Sequence, residues 1–472
     1  MKDTTVASFD ISVPAVLVRL DRNPFHHGTL GAVRSLGRAG ITVHAVIESP
    51  RSPVASSRYL HSGHPRPDRV SGHAPGCGTG PRATAADEGE ELHGLLLRIS
   101  EQLGTPAVLV PLDDLSAISV ARLRPRLAGR YLLPEQPSGL PERVADKAEL
   151  AAICSTLGLP HPRTAVPGSR GEAARAAWTL GLPVVAKWSR PWLLPQGSGL
   201  RSTVVVRSPR EARELFGRSA EAGSRLLLQE MLPRGRDLDW FFHGYSGGDG
   251  TLLIGATGRK ERSWPVAAGL TAVGRWLPNP TVERLAGEVI AALGYRGIVD
   301  LDFRLDAATG AYHLLDFNPR PGAQFRLFTD PAGTDVVRAL HLDLTGRPVP
   351  PLVPAHGRTF VVEHYALLSA LSSAGRRKPA RAHMRARRIR PLSTEAAWFA
   401  RDDPRPAYAM TAAWLLHAAR GSARRLRLRP GPRPGTGLPA PERVPRSLLS
   451  GVRQRRRAPD AAPDSTTPPV PR

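Results

Sequence analysis

Short runs of continuous apolar residues alternate with amphipathic stretches through roughly the first 130 positions. "PAVLVRL" reads as a buried strand, and "GTLGAVRSLGRAGITVHAV" as a glycine-containing turn, a helix and a second strand, the pattern of a parallel α/β unit. "ELHGLLLRISEQLG" continues with a helix and "PAVLVPLDD" with a strand whose C-terminal edge is acidic. Between them, residues 61–90 are rich in Pro, Gly and His and read as a loop or insertion. The turn near Gly28 and Gly31 is too loose for a dinucleotide fingerprint.

Past the Pro-rich link "LLPEQPSGLPERV", a helix in "ADKAELAAICSTLGLP" ends near Gly158, with Pro160 beyond it. "GEAARAAWTLGLPVVAKWS" predicts a helix, a glycine stop and a strand carrying Lys187. A loop and strand ("QGSGLRSTVVVRS"), a helix ("SPREARELFGRSA") and a strand ("SRLLLQEML") follow. "DLDWFFHGYSGGDGTLLIGATGRK" alternates as a hairpin with Gly247, Gly248 and Gly250 in its turn. Arg259, Lys260 and Arg262 read as a basic loop after it. A helix in "PTVERLAGEVIAALGY" precedes two strands, "GIVDLDFRLD" and "GAYHLLDFNPR". Beyond residue 350 the pattern weakens to one helix expected at 407–419, and from Ser422 onward the Arg- and Pro-rich chain reads as disordered.

Composition changes this picture in two places. The 472 residues are 41% hydrophobic and 22% charged, enough for two or three domains with sizeable cores. The net charge is +24, but residues 371–472 hold 23 Lys+Arg against 6 Asp+Glu, so most of the charge belongs to the C-terminal region. Lys2, Lys147, Lys187, Lys260 and Lys378 are the only lysines, which singles out those in the globular body, because an ammonium and a guanidinium are not interchangeable at a phosphate. Cys77 and Cys154 have no neighbours that complete a metal or redox pair, and no signal peptide or transmembrane stretch is evident. A cytoplasmic setting is expected.

The chemistry concentrates in the last strand pair. Alternation puts Asp300 and Asp302 on one face with Leu301 and Phe303 on the other; Asp316 and Asn318 likewise oppose Leu315 and Phe317. If even positions pair with even, the oxygen-bearing side chains meet on one side and need a counter-charge. Clustered hard oxygen ligands suit Mg²⁺. Taken alone, the hairpin fits equally a face whose acids are solvated and paired with surface arginines. No Ser/His or Cys/His arrangement suggests a nucleophile, and His243 and His313 read as packing or polar-face residues.

The ordered set of Lys147, Lys187 in "LPVVAK", "LLLQEML" and the acidic hairpin resembles the ATP-grasp superfamily. Within it, "GRKERSWPVAAGL" and "FFHGYSGGDG" resemble the carboxylate-amine ligase group, which is like the carbamoyl-phosphate synthase large subunit. The resemblance spans residues 10–350 and implies an α/β (α+β) chain. A Rossmann-like pre-ATP-grasp domain would occupy 1–135 and an ATP-grasp domain 140–350, followed by a partly helical extension at 351–420 and a basic, disordered tail at 421–472. It also implies that Lys147, Lys187 and the short loop Gly197, Ser198 and Gly199 meet nucleotide phosphates, that Glu230, Met231 and Leu232 receive adenine, and that Asp237 meets the ribose. Asp302, Asp316 and Asn318 would ligate Mg²⁺, with Mn²⁺ as the alternative ion, and Arg320, Lys260 and Arg262 would act on the transferring phosphoryl group or a substrate carboxylate. The loop is shorter than the family's usual phosphate cover, and Asp302 stands where many relatives have Glu.

The implied function is ATP-dependent joining of a small-molecule carboxylate to an amine through an acyl phosphate. Other ATP-grasp chemistry (a kinase or a carboxylating enzyme) and a nucleotide-binding protein acting through its basic tail are the alternatives. Specific nucleic-acid binding is not expected, because the tail lacks interleaved aromatics. Weak contact with an anionic surface through the tail, and a homodimer, belong to the same set of expectations.

Overall fold

The computed structural model describes residues 7–21, 23–66, 85–195, 197–233, 235, 237–265, 269–374 and 393–427. Three sheets are built in chain order. β1 (Ala15–Val18), β2 (Val43–Ile47), β3 (Ser62–Pro65), β4 (Ala107–Pro111) and β5 (Tyr131–Leu132) form an all-parallel sheet of order β3-β2-β1-β4-β5. Its strands are nearly continuous apolar runs because helices cover both faces: α1 (His27–Arg38) on one, α2 (Ala85–Leu103) and α3 (Asp114–Leu127) on the other. β3 is a correction to the expected 61–90 loop, since Ser62–Pro65 pairs with β2. Four residues of mixed polarity carry no periodicity, and the neighbouring strand makes them extended.

α4 (Leu140–Ala145) and α5 (Lys147–Leu157) lead into an antiparallel sheet of order β6-β9-β7-β8. Its strands are β6 (Thr164–Ala165), β7 (Val184–Trp188), β8 (Thr203–Val206) and β9 (Leu226–Glu230), packed on α6 (Arg170–Leu180), α7 (Pro209–Phe216) and α8 (Ser219–Ala222). α5 stops where the sequence predicts, on Gly158 in the left-handed region, whose N–H reaches the carbonyls of Cys154 and Ser155.

The third sheet has the order β14-β13-β10-β11-β12-β15-β16. It comprises β10 (Asp239–Ser246), β11 (Leu252–Trp264), β12 (Leu270–Trp276), β13 (Gly297–Leu305), β14 (Tyr312–Asn318), β15 (Thr359–Val361) and β16 (Thr394–Ala396). Among the described residues, the helices α9 (Pro280–Leu293), α10 (Val336–Leu344), α11 (Glu363–Ala374) and α12 (Arg405–Arg427) accompany it. Three expectations change here. The segment around Arg259, Lys260 and Arg262 is not a loop, because β11 runs through it and pairs with β12. β15 and β16 are strands of the third sheet, in an extension expected to be partly helical and for which no strand was predicted. α12 continues to Arg427, past the expected start of the tail, through a run of helix-forming Ala, Arg and Leu. Residues 428–472, also expected to be disordered, lie outside the described residues.

Two cores hold the third sheet. Phe241, Tyr245, Trp276 and Phe328 pack with α1, α10 and one face of the parallel sheet, so the first and third sheets share one apolar interior. Leu301, Phe303, Leu314 and Phe317 pack with α9 and with α4 and α5 in another. Burying a large apolar side chain stabilises by about 1.5–3 kcal/mol, so the inner face of the β13–β14 hairpin is strongly fixed and its outer face is fixed with it.

Candidate active site

The outer face of β13–β14 is the floor of a cleft of about 1500 Å³. The register pairs Asp300 with Asn318 and Asp302 with Asp316, so even positions do meet even positions. The expected apolar partners are only partly right. The register shifts after Asp302, Phe303 pairs with Leu314, and Leu315 is left in the bulge, half-buried at the cleft. The bulge turns the Leu315 carbonyl toward Lys187, 3.3 Å from its Nζ.

Four cations converge on these acids. Lys147 is the first residue of α5, whose N-cap, Asp146, accepts from the N–H groups of Ala148 and Glu149 and also binds Arg190 Nε at 2.8 Å. This anchoring delivers Lys147 Nζ to 2.8 Å from Asp316 Oδ1. In β7, Val184, Ala186 and Trp188 are buried, so the alternating Lys187 faces the cleft, 3.4 Å from the same oxygen. Lys260 on β11 reaches within 3.8 Å of Asp302. Arg320 spans two elements, with Nη1 2.9 Å from Asp300 Oδ2 and Nε 3.2 Å from Asp114 Oδ1 at the start of α3.

The carboxylates consequently differ. At Asp316 burial opposes ionisation, but Lys147 and Lys187 outweigh it and hold the group well below the usual range. At Asp302 burial dominates, and the charges of Asp300 and Asp316 add to it against Lys260, pushing the pKa up to about 6. Asp300 is also buried, yet His243 and Arg320 keep it below its ordinary value. Burial lowers Lys187, whereas Asp316 more than compensates burial at Lys147.

His243 and Asp114 were not among the expected site residues, and Asp300 was read only as part of the acidic face. His243 sits across from Asp300 in register, buried against Phe241 and Phe328, with Nε2 3.0 Å from Asp300 Oδ1. Gly322 lies against the pair: a Cβ there would come within 2.4 Å of the His243 ring and 2.8 Å of the Asp300 carboxyl carbon. The acidic end of "PAVLVPLDD" was the available signal for Asp114. Its use depends on a contact between sheets that no local pattern encodes.

The remaining expected residues divide. Glu230, Met231 and Leu232 line the cleft, but the Glu230 carboxylate accepts from the backbone N–H and Nε of Arg163, at 2.9 and 2.6 Å. Asp237 adopts φ +68° and pairs with Arg259 at 3.2 Å away from the cleft lining, where Asp239, bound to Arg304, stands instead. Gly197, Ser198 and Gly199 also lie outside the lining; Ser198 Oγ donates to the Pro195 carbonyl and its own carbonyl accepts from Arg218. Trp192, Leu193 and Leu194 form that wall. Arg262 is exposed and outside the cleft, unlike Lys260. Among the described residues, no group of three or more His, Cys, Asp or Glu has metal-holding geometry, so a cation here would need ligands beyond the protein carboxylates.

No family model matches the chain. The chain is 25% identical over 227 residues to the carbamoyl phosphate synthase large chain of Myxococcus xanthus, a match covering 47% of this chain and 20% of that one. It spans about a fifth of the length of the curated relatives it matches. Its structure is similar to the biotin carboxylase domain dimer of Hydrogenobacter thermophilus 2-oxoglutarate carboxylase in complex with MgADP, ADP and bicarbonate, with a TM-score of 0.51, 17% identity and coverage of 71% of this chain and 70% of that one. It is also similar to the L-amino acid ligase of Bacillus licheniformis, with a TM-score of 0.51, 14% identity and coverage of 74% and 78%. The expected ATP-grasp fold is the fold these structures share with the chain.

Proposed function

We propose that this ATP-grasp chain is an ATP-dependent ligase that activates a small-molecule carboxylate as an acyl phosphate and joins it to an amine. The observation that carries the reading is the convergence of four cations on the acids of one cleft, Lys147 and Lys187 on Asp316, Lys260 on Asp302 and Arg320 on Asp300. The binding of MgADP and bicarbonate by the Hydrogenobacter domain supports a nucleotide in the corresponding cleft.

The donor set fits Mg²⁺. It contains only oxygen ligands, and Asp302 is a half-buried acid whose nearest cation is 3.8 Å away. Asn318 commits its amide nitrogen to Asp300, which leaves its oxygen for a ligand. Asp302, Asp316 and Asn318 would hold the ion together with phosphate oxygens, and Mn²⁺ suits the same donors. When bound, the ion supplies neutralising charge to the phosphates.

Lys147 and Lys187 exchange Asp316 for phosphate oxygens when nucleotide enters, and Glu230 to Leu232 form the wall beside the base. Arg320, fixed from two sides by Asp114 and Asp300, holds the substrate carboxylate in line with the γ-phosphorus. A carboxylate oxygen bonds to that phosphorus as its bond to the ADP oxygen breaks. The amine nitrogen then bonds to the acyl carbon, phosphate leaves, and the ammonium protons pass to water. The cations stabilise charge as it spreads over the phosphoryl oxygens.

A carboxylating reaction is the second reading, favoured by the bicarbonate in the Hydrogenobacter structure. Both are tested by ADP release from Mg-ATP across a panel of amino acids, small carboxylic acids and bicarbonate, with Asp316→Ala and Asn318→Ala as controls. Ligation predicts ADP formation that requires both a carboxylate and an amine, yields an amide and disappears in both variants. Formation with bicarbonate alone selects the second reading, and absence of ATP binding refutes both.

A further inference from the structure

A second cavity, of about 470 Å³, shares no lining residue with the cleft. The end of α1 brings Arg38 to it, the 3₁₀ turn Phe325–Phe328 brings Arg326, the approach to β15 brings Arg358, and the segment after β16 brings Arg401. Glu395 of β16 and Asp402 are the carboxylates of its wall. Arg34 also lines it but is committed inward: Nε lies 2.9 Å from Asp403 Oδ2, and both Nη atoms donate to the carbonyls of Ala397, Trp398 and Asp403.

The four remaining guanidiniums outnumber the acids that serve them. Asp402 accepts from Arg38 Nε and Nη2, at 2.8 Å each. Glu395 is divided between Arg326, whose Nε is 3.1 Å from Oε1, and Arg358, whose Nη2 donates to Oε2; Arg326 has Asp335 behind it at 2.9 Å. Arg401 is exposed and makes no ion pair among the described residues. Arg358 uses only Nη2, and its Nε is buried without a partner. A charged group whose buried donors find no acceptor is costly, so this wall calls for a further anion. Residues 375–392, which lead into Ser393 on the wall, contain no Asp or Glu, so the adjoining sequence adds no counter-charge. Planar guanidinium forks on several sides suit a phosphate, whose oxygens accept from more than one direction, and the volume is that of a small-molecule site.

We propose that this cavity binds a phosphate-bearing small molecule, held by Arg326, Arg358 and Arg401. This does not rest on the ligase reading. The test is isothermal titration calorimetry of the full chain with inorganic phosphate and with pyrophosphate, against sodium chloride at matched ionic strength. The expected result is binding that chloride does not reproduce, that weakens about tenfold in Arg401→Gln and at least as much in Arg358→Gln, and that persists in Lys187→Ala, a change confined to the cleft. Thermal midpoints matching the parent establish that each variant folds, and Arg401→Gln, at an exposed position, carries the test if Arg358→Gln does not. Three outcomes overturn the proposal: no binding of either anion beyond the chloride control, binding that both arginine variants leave unchanged (charge elsewhere on the chain), or binding that Lys187→Ala alone abolishes (the cleft).

Discussion

The two faces of the β13–β14 hairpin are built from the same alternation and answer to opposite demands. On the inner face Leu301, Phe303, Leu314 and Phe317 are buried at 4% exposure or less and need only shape. On the outer face Asp300, Asp302, Asp316 and Asn318 carry groups that the interior penalises unless each is partnered. Asp316 has two lysines and Asn318 has Asp300, while Asp302 has one lysine at a distance. The hairpin therefore uses its apolar side to hold in place a polar side that is left incompletely neutralised, and the shortfall sits where a ligand would complete it.

The largest effect should come from breaking the inner face. Phe317 is fully buried and stacks edge-on with Tyr295 at 5.1 Å. Phe317→Ala should cost about 3–5 kcal/mol of stability, read as a lower midpoint in denaturant unfolding, with activity lost through unfolding. A change below about 1 kcal/mol would mean that the outer face holds its own geometry. Next in size is Asp316→Asn on the outer face. It should reduce ADP formation by about 10²–10³-fold in a protein that still folds cooperatively. Comparable activity loss in the two variants, with only Phe317→Ala unfolding early, would separate the two roles.

The outer face itself divides under pH. Asp302 has a raised pKa, so its contribution to stability is fully present below about pH 4, the ordinary carboxylate value, and is lost as pH rises through about 6. Asp316 has a lowered pKa, so its contribution is present above about pH 4 and is lost as pH falls through its folded value. Relative to the parent without nucleotide or divalent ions, Asp302→Asn should gain stability as pH rises from about 4 to 6. Asp316→Asn should become relatively less unfavourable as pH falls below about 4. Thermal midpoints across that range check both signs, and parallel curves would show that the two acids are equally neutralised.

Much of this hairpin was legible because period-two alternation fixes which side chains share a face. The pairing of Asp302 with Asp316 followed from parity alone. The bulge at Leu315 did not, because an extra residue in a strand answers to twist and to the neighbouring elements rather than to local polarity. The strands Ser62–Pro65, Thr359–Val361 and Thr394–Ala396 were missed for a related reason: three or four residues contain too little periodicity, and pairing partners far along the chain extend them. Lys147 and Lys187 stood out through the scarcity of lysine. Asp114 and His243 did not, since their importance comes from meeting Arg320 and Asp300 across elements far apart in the chain.

The smallest effect sharpens the comparison on a single strand. Lys260 and Arg262 are both basic, two residues apart on β11, and were expected to act together. A register shift between them breaks the simple parity that would have put them on one face. Lys260 ends 3.8 Å from Asp302 in the cleft, and Arg262 is exposed outside it. Lys260→Ala should therefore lower ADP formation by about tenfold, near 1.4 kcal/mol, because Asp302 and the incoming phosphates lose their nearby cation. Arg262→Ala should stay within about twofold, the ordinary range for a surface substitution of about 0.5 kcal/mol or less. Equal losses in the two variants would mean that β11 shifts register when nucleotide binds and brings Arg262 to the cleft, whereas the split expected here means that, of these two β11 cations, the bulged strand already presents to the floor the one it uses.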